Sequence, residues 1–141
     1  MSNQEIIDVT KEQLTAFNDK DWNRWSSVSA EDCTYDEIAT NNKYEGRDNV
    51  LGAMKGWANA FPDVKGSFDS ISVDGNQTTF QITWVGNHTG PLATPDGEIP
   101  ATGKEIRIKS CMISEIENGK VKSFNNYFDM MTMLTQLGLA N

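Results

Sequence analysis

Cysteine, histidine and basic residues are all scarce in this chain, and each shortage removes a class of function. The two cysteines, Cys33 and Cys111, are too few for a disulfide framework and match no zinc-binding spacing, so both are expected as reduced thiols in or beside the core. A single histidine, His88, with no HExxH helix and no EF-hand loop, leaves no metal signature, and neither a metal nor a cofactor is expected. Lys and Arg number 12 against 20 acidic residues, a formal net charge of -8. No basic cluster offers a footprint for phosphate backbones or anionic lipid, so nucleic acid and membrane surfaces are not expected partners. The N-terminal MSNQEIIDV lacks the basic and apolar segments of a signal peptide, and no apolar run approaches a membrane span. A cytoplasmic location is the default expectation. Internal repeats and low-complexity tracts are also missing.

What is present fits one domain over 1–141, a length that can bury a core with room for a cavity. Residues 3–18 read as a first helix: Ser2 and Glu5 form a capping box, and Ile6, Thr10, Leu14 and Phe17 share a stripe. Trp22 and Trp25, one turn apart, suggest a short second helix that either packs on the first or plugs a cavity. Residues 32–39, DCTYDEIA, read as a strand. A third helix is expected from 48 to 61, with Val50, Met54, Trp57 and Phe61 on one face and Pro62 as its stop.

From Val64 the hydrophobic period changes to two. Turn signals at Asp74-Gly75 and Asn118-Gly119 divide the remainder into successive antiparallel strands. Phe80, Ile82, Trp84, Gly86 and His88 share one face of one strand, and Ile106, Ile108, Ser110, Met112, Ser114 and Ile116 one face of another. In residues 120–128, Lys122, Phe124, Asn126 and Phe128 are expected on a common face. Residues 90–103 contain Pro91, Pro95, Pro100 and three glycines and are expected to be a loop, of the length that often covers a site. Helices first, strands next and a terminal helix last give an α+β class, with helices packed on one face of a curved sheet.

The segments WVGNHTGPL at 84–92 and PATGK at 100–104, with the stretch NGKVKSFNNYFDMMTMLTQLG ending in QLG at 136–138, resemble the SnoaL-like polyketide (ester) cyclase family of the NTF2-like superfamily. The resemblance is best over residues 80–138. It implies a cone-shaped α+β barrel in which a curved antiparallel sheet and the N-terminal helices enclose an apolar cavity. Homo-oligomers, commonly dimers through the open sheet face, are also implied. So is cofactor-free acid-base chemistry on a small hydrophobic molecule, with ring closure on a polyketide ester in the cyclases proper. In that family a pocket Asp on the last strand moves protons, helped by a His on the preceding strand and an Asn on the first. By position these roles fall on Asn126, Met112 and Tyr35. An amide does not titrate near neutral pH, so Asn126 departs from the family's usual acid-base group.

The residues leave two catalytic candidates. His88 can serve as a base without a metal, or be a buried imidazole bonded to the Gly-Pro loop. Asp129 can cap the terminal helix, or act as an acid or base with its pKa raised by aromatic neighbours. Asp36 and Glu37 on the first strand are further carboxylates without an assigned role. Asn126 can hold a substrate carbonyl by donating a hydrogen bond, or be a structural amide. Tyr35, Met54, Trp57, Phe61, Trp84, Met112 and Phe124 are core, and become substrate-binding walls if a cavity exists. Two functions remain open: a cofactor-independent cyclase, isomerase or hydrolase of a hydrophobic carbonyl or ester compound, and a non-catalytic protein that binds a hydrophobic ligand in the same fold.

Overall fold

The computed structural model describes residues 1–94 and 96–140, so Pro95, the middle proline of the expected loop, lies outside the described residues. The first helix, α1 (Asn3–Asn18), is capped as its sequence requires: the Ser2 hydroxyl accepts from the Glu5 N–H at 3.1 Å. Its buried stripe contains Ile6, Thr10, Gln13, Leu14 and Phe17. Asp21 caps α2 (Trp22–Ser27). Trp22 packs edge-on against Phe17 of α1, while Trp25 is fully buried, so the short helix both packs and plugs. In α3 (Arg47–Ala60), Val50, Met54 and Ala60 are buried, and Phe61 has already left helical geometry ahead of Pro62.

Strand β1 (Ser29–Glu37) starts earlier than expected and gives way to a 3-10 turn at Ile38–Thr40. The following β2 (Asn42–Glu45), which pairs antiparallel with β1, was not expected from NKYE, four residues without an apolar alternation. Strands β3 (Lys65–Asp74) and β4 (Gln77–Asn87) form one hairpin. Residues 90–103 are more ordered than a plain loop: β5 (Leu92–Thr94) and β6 (Gly97–Ile99) form a small separate hairpin. Pro91 and Pro100 stand just outside its paired residues, where their missing N–H breaks no ladder bond. A second long hairpin, β7 (Glu105–Glu117) and β8 (Lys120–Phe128), turns at Asn118 and Gly119, both at positive φ. The chain then enters α4 (Met130–Gln136).

The main sheet runs β2-β1-β8-β7-β4-β3. Its pairings are antiparallel except β1 with β8, which is parallel; these strands are joined through most of the chain, and such a crossover permits parallel pairing. The sheet is curved and not closed. Helix α1 packs on β3, β4, β7 and β8, and α3 on β1 and β2, which gives the expected α+β architecture. Alternation on β7 buries Ile106, Ile108, Ser110, Met112, Ser114 and Ile116. In β8 the expected common face is interrupted. The register passes from Glu115↔Ser123 to Ile116↔Val121, so Lys122 bulges out to pair with Asp32 while Val121 and Phe124 both turn inward. No helix among the described residues is long and apolar enough to cross a membrane.

Candidate active-site cavity

The curved sheet and the helices surround a cavity of about 80 Å³. Its walls include Phe17 and Trp25 from the first helices and Tyr35, Met54, Trp57, Phe61, Trp84, Met112, Phe124 and Asn126. All eight positions expected as walls therefore line one cavity. Aromatic packing stiffens it: Tyr35 stacks on Phe124 with centroids 4.6 Å apart, and Trp57 meets Phe128 edge-on at 5.7 Å.

One end of this apolar space is polar, and strand register builds it. Tyr35 lies beside Phe124 and Glu37 beside Asn126 in the parallel β1–β8 pairing, and Met112 lies beside Asn126 in the β7–β8 pairing. Asn126 Nδ2 donates to the Tyr35 hydroxyl at 3.2 Å, and that hydroxyl donates to Glu37 Oε2 at 2.7 Å. The same carboxylate oxygen accepts from Trp57 Nε1 at 2.8 Å, and Oε1 accepts from the Thr40 hydroxyl at 2.7 Å. Glu37 is only 3% exposed, and Asn126 Oδ1 is buried with no partner. Burial, reinforced by the charge on Glu37, holds the Tyr35 phenol well above its ordinary pKa, so it keeps its proton at neutral pH. Trp57 also faces an outer groove that includes Thr40, Tyr44, Gly52, Gly56 and Leu92, and so forms a partition between groove and cavity.

The two residues singled out as catalytic stand elsewhere. His88 is fully buried but is not among the cavity walls. Its Nδ1 accepts from the Thr102 backbone N–H at 3.2 Å and lies 3.0 Å from the Thr102 hydroxyl, which places the proton of the neutral ring on Nε2. That Nε2 has no partner, and the ring lies against Phe61 at 5.1 Å. Burial pulls the imidazole below its ordinary pKa of 6.5, against a smaller upward effect from the Gly90 backbone. Backbone bonds from His88 N–H to Lys104 O and from Gly103 N–H to His88 O complete a clamp on the segment after the small hairpin. Asp129 caps α4, accepting from the Thr132 hydroxyl at 2.6 Å and the Thr132 N–H at 3.0 Å. These bonds hold its carboxyl below the ordinary range, opposite to the raised pKa considered for it, because the group is exposed and faces donors rather than aromatic rings. Asp36 faces Lys43 at 3.8 Å, away from the cavity.

The glycines of WVGNHTGPL have a packing explanation. A Cβ on Gly90 would lie 2.0 Å from the Asn59 carbonyl oxygen, and one on Gly86 would lie 2.9 Å from the Val64 Cα. Gly90 N–H also donates to Ala60 O at 3.1 Å, binding this segment to the end of α3. Glu37 is the buried carboxylate that the sequence left without a role. Alternation through Cys33, Tyr35 and Glu37 marks it as inward-facing, the signal that could have found it. Gln13, a polar residue within the buried stripe of α1, is an overlooked wall of the cavity. Among the described residues no group of three or more His, Cys, Asp or Glu is placed to hold a metal ion.

Comparison with known proteins agrees with this architecture. TsrD from Streptomyces laurentii superposes with a TM-score of 0.84 at 21% identity, covering 99% of this chain and 98% of its own. A SnoaL-like polyketide cyclase candidate from Jannaschia sp. CCS1 gives 0.88 at 13% identity, covering 99% and 95%. An LEH-like epoxide hydrolase from M. tuberculosis gives 0.75 at 16% identity, covering 96% and 90%. At these identities the likeness establishes the fold alone. No curated protein matches the sequence. A family profile does, over residues 8–137, and with it the chain belongs to the SnoaL-like polyketide cyclase family.

Proposed function

We propose that this chain is a cofactor-independent enzyme acting on a small hydrophobic carbonyl or ester compound, by cyclisation, isomerisation or hydrolysis. The observation that carries the reading is the hydrogen-bonded line from the cavity wall inward, Asn126 to Tyr35 to Glu37. It supplies what Asn126 and Met112 lack at the positions of the family's acid-base pair. In the proposed step Tyr35 Oη takes a proton from the substrate as its own proton passes to Glu37 Oε2, and the return transfer restores both groups. Asn126 holds a substrate oxygen, and the aromatic walls exclude water. His88 and Asp129 keep their structural places and take no part. Self-association as a homodimer through the outer sheet face, where Tyr127 is exposed, belongs to the same proposal, and light scattering of the purified protein tests it by mass.

The test is turnover of a panel of enolisable ketones and esters by the wild type, Tyr35→Phe and Glu37→Gln. Each variant is expected to lose roughly a hundredfold in kcat or more, the usual contribution of a positioned acid-base group. Unchanged kcat in Tyr35→Phe removes the relay. A second reading, a non-catalytic binder of a hydrophobic ligand, is favoured by the untitratable amide at 126 and the thioether at 112. Binding without turnover across the panel would put it first.

A further inference from the structure

We propose that the outer groove is the entrance to the cavity and that the indole of Trp57 is the door between them, held shut by its hydrogen bond to Glu37. What passes is an uncharged, flat apolar molecule, or the ring-bearing end of a longer one. This rests on the proposed function only in taking the cavity as the binding site.

The two spaces differ in size and share one wall. The groove measures about 630 Å³ and the cavity about 80 Å³. Pockets for small molecules run to about 300–1,000 Å³, so this cavity takes a ring-sized body and a longer ligand keeps its remainder in the groove. Among the described residues Trp57 alone lines both spaces. Tyr35, Phe61 and Phe124 are fully buried, whereas Trp57 is half-buried. A ring with the groove on one side and the cavity on the other can turn aside without unpacking the core.

The contacts of the indole are few, and the space beside it is open. It stacks on Phe61 at 6.2 Å and meets Phe128 edge-on at 5.7 Å, and its one polar bond runs from Nε1 to Glu37 Oε2 at 2.8 Å. A helical side chain leans over the turn that precedes it, and here that stretch of α3 offers the groove only Gly52, Ala53 and Gly56. A Cβ on Gly52 or Gly56 would meet nothing within 4 Å. Glycine is unfavourable inside a helix, and close packing does not account for these two; an unobstructed path for the indole does.

The latch is also part of the polar line. Glu37 Oε2 accepts from Trp57 and from the Tyr35 hydroxyl, so opening the door removes a donor from the oxygen that receives the Tyr35 proton in the proposed step. Closure restores that donor and shuts the groove off from the cavity, so the line is complete only when water is excluded. An ion would have to shed its water to pass between these rings, which restricts entry to uncharged molecules.

Fluorobenzene is the probe, its exchange between water and the cavity followed on the full chain by fluorine NMR magnetisation transfer, with Kd from titration of the same signals. Trp57→Phe keeps a ring at the wall but loses the latch, and entry and exit rates should both rise roughly tenfold, the worth of one hydrogen bond to a charged group. Gly56→Leu fills the groove floor without a clash and favours the helix. Entry and exit should then slow by the same factor at unchanged Kd, which a general disturbance of the fold would not produce. This arm decides if the phenylalanine variant does not fold. Unchanged rates in Gly56→Leu, or an unchanged entry rate in Trp57→Phe, overturn the proposal, as does the lack of any bound fluorobenzene signal in the wild type and Trp57→Phe. Gated exchange in a protein that turns over none of the ketones and esters upholds the door and sinks only the catalytic reading.

Discussion

His88 and Asn126 each bury a polar atom without a partner, but only Asn126 belongs to the cavity wall. The His88 ring is locked between Phe61 and the Thr102 segment, and its Nε2 is outside the cavity wall. Asn126 is held by Tyr35, and its side chain belongs to the cavity wall. The His88 ring belongs to the clamp on the segment after the small hairpin. A polar side chain on a cavity wall can meet a ligand, whereas one packed between a ring and a backbone segment serves the packing.

The largest expected effect breaks the clamp side of this comparison. Gly90→Val places a branched side chain where even a Cβ would lie 2.0 Å from the Asn59 carbonyl oxygen. Backbone flanks the contact on both sides, and the Gly90 N–H to Ala60 O bond is drawn into any adjustment. A destabilisation of about 3 kcal/mol is expected from such overpacking, measured as a lowered urea midpoint. An unchanged midpoint would mean that the segment after β4 is not anchored on α3 and that the motif needs another explanation.

A smaller effect reads His88 itself. Its folded-state pKa is below the ordinary 6.5, so below that pH the unfolded chain binds more protons than the folded one. The stability associated with the neutral ring is full above about pH 6.5 and is lost as pH falls through the folded value. His88→Asn keeps an acceptor near the Thr102 N–H but removes the titration. Between pH 7.5 and pH 5 the wild type should lose more stability than the variant in urea unfolding. Equal losses would show that the imidazole can be protonated in place, which would return it to consideration as a proton carrier.

Much of this arrangement was legible in the sequence because it follows from periodicity and local chemistry. Ser2, Pro62 and Asn118-Gly119 act within a few residues of themselves, and alternation alone turned Trp84, Met112 and Phe124 toward the cavity. Features set by distant pairing were hidden. The bulge at Lys122 is visible only against β7, and the role of Glu37 depends on Trp57, twenty positions away, and on a parallel register with β8. Local chemistry also offered Asp129 two roles, and only the Thr132 contacts assign it to capping.

The smallest expected effect on stability is at Asn126, on the cavity wall. Asn126→Leu replaces an amide with an apolar side chain of similar length on a wall already formed by Phe124, Phe128 and Met112. The substitution removes the unpaired Oδ1, whose burial is unfavourable in the empty protein, and deprives Tyr35 of one donor while leaving its stronger bond to Glu37. These changes oppose each other, and a net change within about 1 kcal/mol in either direction is expected. Thermal unfolding of the empty variant measures it. A loss of 2 kcal/mol or more would show that Asn126 supports the fold as His88 does, and the contrast between the two would fail. A neutral or stabilising result would instead show that this position gives up stability in the empty protein to keep an amide on the cavity wall.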